Sequence, residues 1–165
     1  MTGRPRGSQR TRRVESVVTS YASTPGVRSR MQVQRTRDTA PEMAVRRLLH
    51  SMGFRYRVDR APLSGLRRRA DIVFGQVKVA VFIDGCFWHG CPEHGRRQTQ
   101  ANSAYWSTKI ARNRNRDKDT DARLTAAGWT VVRAWEHTPA ADTAELIART
   151  VRAARESRSQ PRGSS

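Results

Sequence analysis

Two carboxylates, two cysteines and three histidines stand at spacings that could do chemistry. Asp71 opens the short run Asp71-Ile72-Val73-Phe74, and Asp84 closes the apolar run Val79-Ala80-Val81-Phe82-Ile83. Apolar runs of this kind read as buried strands. An acid at the mouth of each could hold magnesium, which prefers oxygen ligands and keeps waters that can meet a phosphate. Gly85-Cys86-Phe87-Trp88-His89-Gly90-Cys91-Pro92-Glu93-His94 follows directly, a density of thiols, imidazoles and rings that a plain core strand does not need. Cys86, Cys91 and His94, with the distant His137, offer two thiolates and two imidazoles. That set suits a closed, structural zinc site. A Cys86–Cys91 disulfide and a pair of unligated core thiols are the alternatives. His89, between the aromatics and close to Asp84, is left for proton transfer near neutral pH.

Stepping outward, the elements must bring these groups together. Thr39 and Glu42 form a capping box that opens a helix, with Ala44, Val45, Leu48, Leu49 and Met52 as its apolar stripe and Gly53 ending it. Phe54 to Val58 alternates as a half-exposed strand. A loop from Pro62 to Arg69 carries three consecutive arginines to Asp71. Ile72–Phe74, a Gly75-Gln76 turn and Val77–Asp84 make a hairpin, which places Asp71 and Asp84 at the same end of the sheet. After a polar loop, Arg96 to Ser103, a long helix over Ala104–Ala126 turns Trp106, Ile110 and Leu124 inward, and Gly128 closes it. Trp129–Trp135 is a further strand and Thr143–Ala154 a last helix. The order predicts an α/β fold, a mixed sheet flanked by helices. The expected division is a basic arm over 1–30, one domain over 31–154 and a tail over 155–165.

The 165 residues carry 32 lysines and arginines against 14 acids, a formal charge of +18. Such a field attracts polyanions, and arginine forks match phosphate. DNA or RNA is the first partner to consider; an anionic membrane surface or arginine-rich codon usage comes second. No apolar stretch approaches the roughly 20 residues of a membrane span, and no secretory leader is visible.

The block Phe82-Ile83-Asp84-Gly85-Cys86-Phe87-Trp88-His89-Gly90-Cys91-Pro92-Glu93-His94 resembles the signature of the very-short-patch repair (Vsr) mismatch endonucleases. Arg37–Glu42, Ala70–Phe74, Trp106–Asp117 and Gly128–His137 agree in order, so the likeness covers about residues 31 to 138. It implies a restriction-endonuclease-like fold with an embedded structural zinc. It also implies magnesium-dependent nicking of double-stranded DNA 5′ to the thymine of a T:G mismatch left by 5-methylcytosine deamination. Asp71 would be the essential metal-binding carboxylate, His89 the histidine at the scissile phosphate and Glu42 an auxiliary acid. Cys86, Cys91, His94 and His137 would take the zinc. Phe87, Trp88 and Trp106 look like the rings wedged beside the mismatch, and Asn113 and Asp117 match positions near the active site. The likeness further implies a cytoplasmic, nucleoid-associated monomer working beside a cytosine-5 DNA methyltransferase and mismatch-repair proteins.

Two departures stand out. Cys86 occupies the place where the wider nuclease superfamily usually has a lysine. Ile83-Asp84 replaces the family's Thr-His, so either the Ile83 carbonyl or the Asp84 carboxylate would hold the metal. Structural roles compete throughout: Glu42 as a capping residue, Asp84 as the cap of the Gly85 turn, Trp106 as ordinary core. The competing functions are a Vsr-like restriction or defence nuclease without T:G preference, and a zinc-stabilised DNA-binding module with a dead site.

Overall fold

The structure, a computed structural model, describes residues 37–94 and 103–159. The basic arm, most of the polar loop and the end of the tail lie outside the described residues.

Helix α1 (Ala40–Ser51) starts from Thr39 in extended conformation, with a proline in its first turn. The capping box takes an altered form. Thr39 Oγ1 donates to Glu42 Oε1 at 2.9 Å instead of capping a backbone amide, while Glu42 Oε2 accepts the Asp38 N–H at 3.0 Å. One turn on, Arg46 is buried with Glu42 and donates to it at 3.1 Å and to Asp38 at 2.5 Å.

Strand β1 (Arg57–Arg60) lies later than the alternation of 54–58 suggests. Phe54 still belongs to the helix terminus, because its N–H bonds Leu49 O at 3.0 Å and its ring packs edge-on against Phe74. β2 (Ala70–Phe74) and β3 (Val79–Asp84) are antiparallel, with Ile72 opposite Val81 and Phe74 opposite Val79. The connection is longer than the two-residue turn expected: a 3₁₀ turn over Gly75–Val77, then Lys78 in the left-handed region at φ 53°. The one-turn helix α2 (Cys86–His89) follows, then α3 (Ser103–Ala126), β4 (Thr130–Trp135) and α4 (Ala140–Ser159). α4 thus runs past the 154 boundary at which the sequence placed its end.

The sheet order is β1-β2-β3-β4, with β4 parallel to β3 along six paired residues. Alternate side chains leave opposite faces. Ile72, Phe74, Val79, Val81 and Val132 pack with Val45 and Leu49 of α1 and with Ile147 and Val151 of α4. Val73, Ala80 and Phe82 meet Leu124 of α3 on the other face, with Val131 beside them. By the same alternation Asp71 and Asp84 share the α3 face, at the end of the sheet where β2 begins and β3 finishes. Helices on both faces of a mixed sheet are the expected layering. Among the described residues no helix is long and apolar enough to cross a membrane.

Candidate active site

A cavity of about 690 Å³ opens at that end of the sheet, lined by Glu42, Asp71, Asp84, His89, Asn113 and Asp117 together with Ile83, Trp88, Arg133 and Glu136. Arg67, Arg68 and Arg69 form part of its wall. The two groups on which the sequence reading turns, Asp71 and His89, therefore face one space large enough for a phosphate.

Asp71 is placed by strand pairing. Its Oδ2 accepts the Ile83 N–H at 2.7 Å. Burial is the main cause that raises its pKa to about 6; the nearby Glu42 and Asp84 carboxylates push the same way, against the Ile83 hydrogen bond and Arg46. A carboxyl held so close to neutrality, with other acids beside it, favours the approach of a cation.

His89 sits at the end of α2, and its Nδ1 lies 2.6 Å from Asp117 Oδ2 and 3.7 Å from Asp84 Oδ1. A proton on Nδ1 shared with Asp117 leaves Nε2 as the acceptor. Asp117 thus fixes the ring. Asp84 does not sit free: both its oxygens accept from Arg133 Nη1 at 2.8 Å. Burial opposes the Arg133 charge, but hydrogen bonds and attraction from Asp121 and Asp84 outweigh it and raise the guanidinium pKa.

The segment that carries His89 is clamped onto α3. Asn113 Nδ2 donates to the Trp88 carbonyl at 2.8 Å, so its amide secures this turn. Arg114 donates to the carbonyls of His89 and Gly90 at 3.2 and 2.6 Å. Gly90 has φ 63°, and a Cβ there would lie 2.7 Å from Ile110 Cγ2, so both conformation and space require glycine. Phe87, Trp88 and Trp106 form an edge-on cluster with centroids 4.9 to 6.0 Å apart. Trp106 is only 6% exposed. As placed, it supports the other two rings, the packing role that the sequence also allowed, and neither it nor Phe87 lines the cavity. Lys109 Nζ lies 4.8 Å from the Trp88 ring centroid.

Beside this site, Cys86, Cys91, His94 and His137 bring four donor atoms within 4.8 Å of one another. Both cysteines are free thiols, so no disulfide forms. Sγ to Nδ1 distances run from 3.0 Å (Cys86–His137) to 3.9 Å (Cys86–His94). Tetrahedral zinc would set sulfur and nitrogen ligands about 3.6 Å apart, so the donor set fits that ion. Burial and then Cys91 push the Cys86 thiol up to about 11, with Glu136 adding to this and His137 opposing it. A thiol that resists ionisation, as Cys86 does, needs a cation to hold it as a thiolate.

Sequence reasoning passed over Arg133, Arg46 and Glu136. Glu136 Oε1 accepts the Cys86 N–H at 2.7 Å and so ties the end of β4 to the start of α2. The signal for Arg133 was a charged residue inside an otherwise apolar strand; its partners, though, depend on β4 pairing with β3.

Carboxylates, an oriented histidine and arginines around one cleft form a site suited to cutting phosphodiesters. Residues 21–94 match the family model described as DNA mismatch endonuclease Vsr. The type II nicking enzyme V.NaeI of Lentzea aerocolonigenes is 47% identical over 123 residues, 73% of this chain and 74% of that protein. V.XorIIP of Xanthomonas oryzae pv. oryzae, also a type II nicking enzyme, is 46% identical over 64% of this chain and 76% of its own length. The DNA mismatch endonuclease Vsr of Escherichia coli K12 is 35% identical over 64% of this chain and 66% of that protein. The chain belongs to the Vsr family of DNA endonucleases. It is accordingly an enzyme, a hydrolase of DNA phosphodiester bonds.

Proposed function

We propose that this protein nicks one strand of double-stranded DNA 5′ to the thymine of a T:G mismatch, the lesion left when 5-methylcytosine deaminates, and that it uses magnesium to do so. The observation that carries this reading is the convergence of Asp71, His89 and the Arg67–Arg69 wall on one cavity. The arginines face the polyanion, and the +18 net charge draws it in. Asp71, aided by Glu42 and by the Ile83 carbonyl, is the residue that would hold magnesium. Bound there, the ion supplies a Lewis acid for charge developing on the phosphate oxygens. His89, oriented by Asp117, takes the proton of the attacking water at Nε2. Phe87 and Trp88, backed by Trp106, meet the opened base stack, where a mispair is the least costly step to separate. The Cys86–Cys91–His94–His137 group holds a structural zinc that fixes α2, and with it His89, against the end of β4.

A second reading has its own support. The relatives V.NaeI and V.XorIIP are named type II nicking enzymes, which suits a nuclease that serves restriction without T:G preference. Zinc-loaded protein with magnesium, given a library of mismatched duplexes and read at single-nucleotide resolution, separates the two. Cutting confined to the position 5′ to T in T:G supports mismatch repair; equal cutting of every mispair and of matched DNA rejects it.

A further inference from the structure

Arg133 stands opposite Phe82 in the β3–β4 register, its guanidinium 4.7 Å from the Phe82 ring centroid. Nη1 donates to both Asp84 oxygens at 2.8 Å, and Nε lies 3.1 and 2.9 Å from the two Asp121 oxygens. Nη2 adds Asp121 Oδ1 at 3.0 Å and reaches Asp117 Oδ1 at 3.6 Å. One guanidinium therefore serves three carboxylates, one from β3 and two from α3.

Asp84 and Asp117 also belong with His89 to a group whose donor atoms lie within 4.8 Å of one another, a spacing that a divalent ion could bridge. Their oxygens are nevertheless committed. Both oxygens of Asp84 face Arg133; Asp117 gives Oδ2 to His89 and turns Oδ1 toward Arg133. A divalent ion entering here would meet a guanidinium that cannot lose its proton, and would break its forked hydrogen bonds.

We propose that Arg133 is the resident cation of this group, occupying the Asp84, Asp117 and Asp121 carboxylates in place of a divalent ion, so that the cavity takes metal on its Asp71 side alone. Asp84 and Asp117 then act as positioning residues for the guanidinium and for His89. With Nε, Nη1 and Nη2 all turned to carboxylates, Arg133 offsets acidic charge that would otherwise face the DNA phosphate. This inference rests on the nuclease reading above and decides how many metal ions that site admits.

The test is Mn²⁺ titration of the zinc-loaded full-length chain without DNA, followed by electron paramagnetic resonance of the free ion. Asp84→Asn and Asp117→Asn should leave Mn²⁺ affinity within about twofold of the parent, and Asp71→Asn should weaken it at least about tenfold. Arg133→Gln should gain one Mn²⁺ site, removed again by Asp117→Asn on that background. Arg133→Lys, which keeps the charge, should gain none. Should Arg133→Gln fail to fold, the aspartate variants of the parent still decide. The proposal is overturned if Asp84→Asn or Asp117→Asn weakens parental Mn²⁺ binding tenfold or more, if Asp71→Asn leaves it unchanged, or if folded Arg133→Gln gains no site. A nicking assay run alongside keeps the two ideas apart. A parent protein that cuts no duplex while showing the metal pattern intact removes the nuclease reading, whereas a parent that cuts with the wrong metal pattern removes only the role of Arg133.

Discussion

Asp117 Oδ2 lies 2.6 Å from His89 Nδ1, joining the long helix α3 to the single turn that follows β3. The contact chooses the tautomer and holds the ring toward the cavity. His89→Ala should lower single-turnover nicking by about 10²- to 10⁴-fold, the usual span for a proton-transfer group. Asp117→Asn, which leaves the ring in place with a poorer partner, should cost about 10- to 100-fold. DNA affinity by gel shift should stay within a few fold in both. Parental nicking by His89→Ala would remove the assigned base.

Asp71 gives the protein a pH-dependent stability. Its folded pKa of about 6 stands above the ordinary aspartate value of 3.8, so the fold favours the protonated acid. The associated stability is full below pH 4 and is lost as pH rises through 6. Asp71→Asn keeps an acceptor for the Ile83 N–H and removes the cost of the charge. Without magnesium it should be more stable than the parent at pH 7.5 by on the order of 1–3 kcal/mol, after discounting for partial exposure. The two should melt together below pH 4, while nicking is abolished. Equal melting temperatures at pH 7.5 would contradict the burial of this carboxyl.

The proposed zinc site at Cys86, Cys91, His94 and His137 predicts one zinc per chain by metal analysis. Chelation should lower the melting temperature and open residues 86–94 to proteolysis, with several kcal/mol of folding energy lost. Cys91→Ala should reproduce the effect without chelator. An unchanged melting curve after verified zinc removal would contradict a structural site.

Gly90→Ala should destabilise by about 2–3 kcal/mol, because a left-handed alanine costs 1 kcal/mol or more and its methyl would strike Ile110. Thermal melting of the zinc-loaded variant measures this, and an unaltered midpoint would contradict the close seating of α2 on α3.

What local patterns could reveal, they revealed. Acids at the ends of two apolar runs located the open end of the sheet, and the crowding of thiols and imidazoles around residues 86–94 marked the second metal-compatible group. Groups defined by long-range pairing stayed hidden. Arg133 finds Asp84 only because β4 runs parallel to β3, and Glu136 meets the Cys86 amide for the same reason. Strand boundaries slipped where a neighbouring element claimed a residue: Phe54 is held by the end of α1, and Lys78 takes a left-handed turn. Trp106 could be read as core or as wedge, and only its neighbours Phe87 and Trp88 show how it is packed.

The most direct measurement of the central claim is nicking of a T:G duplex and its matched T:A twin by zinc-loaded protein with magnesium, beside Asp71→Ala. The account predicts one cut 5′ to the mismatched thymine, little cutting of the T:A twin, and an Asp71→Ala protein that binds both duplexes but cuts neither. Undiminished cutting by Asp71→Ala would contradict the site described here, and equal cutting of both duplexes would contradict its proposed specificity.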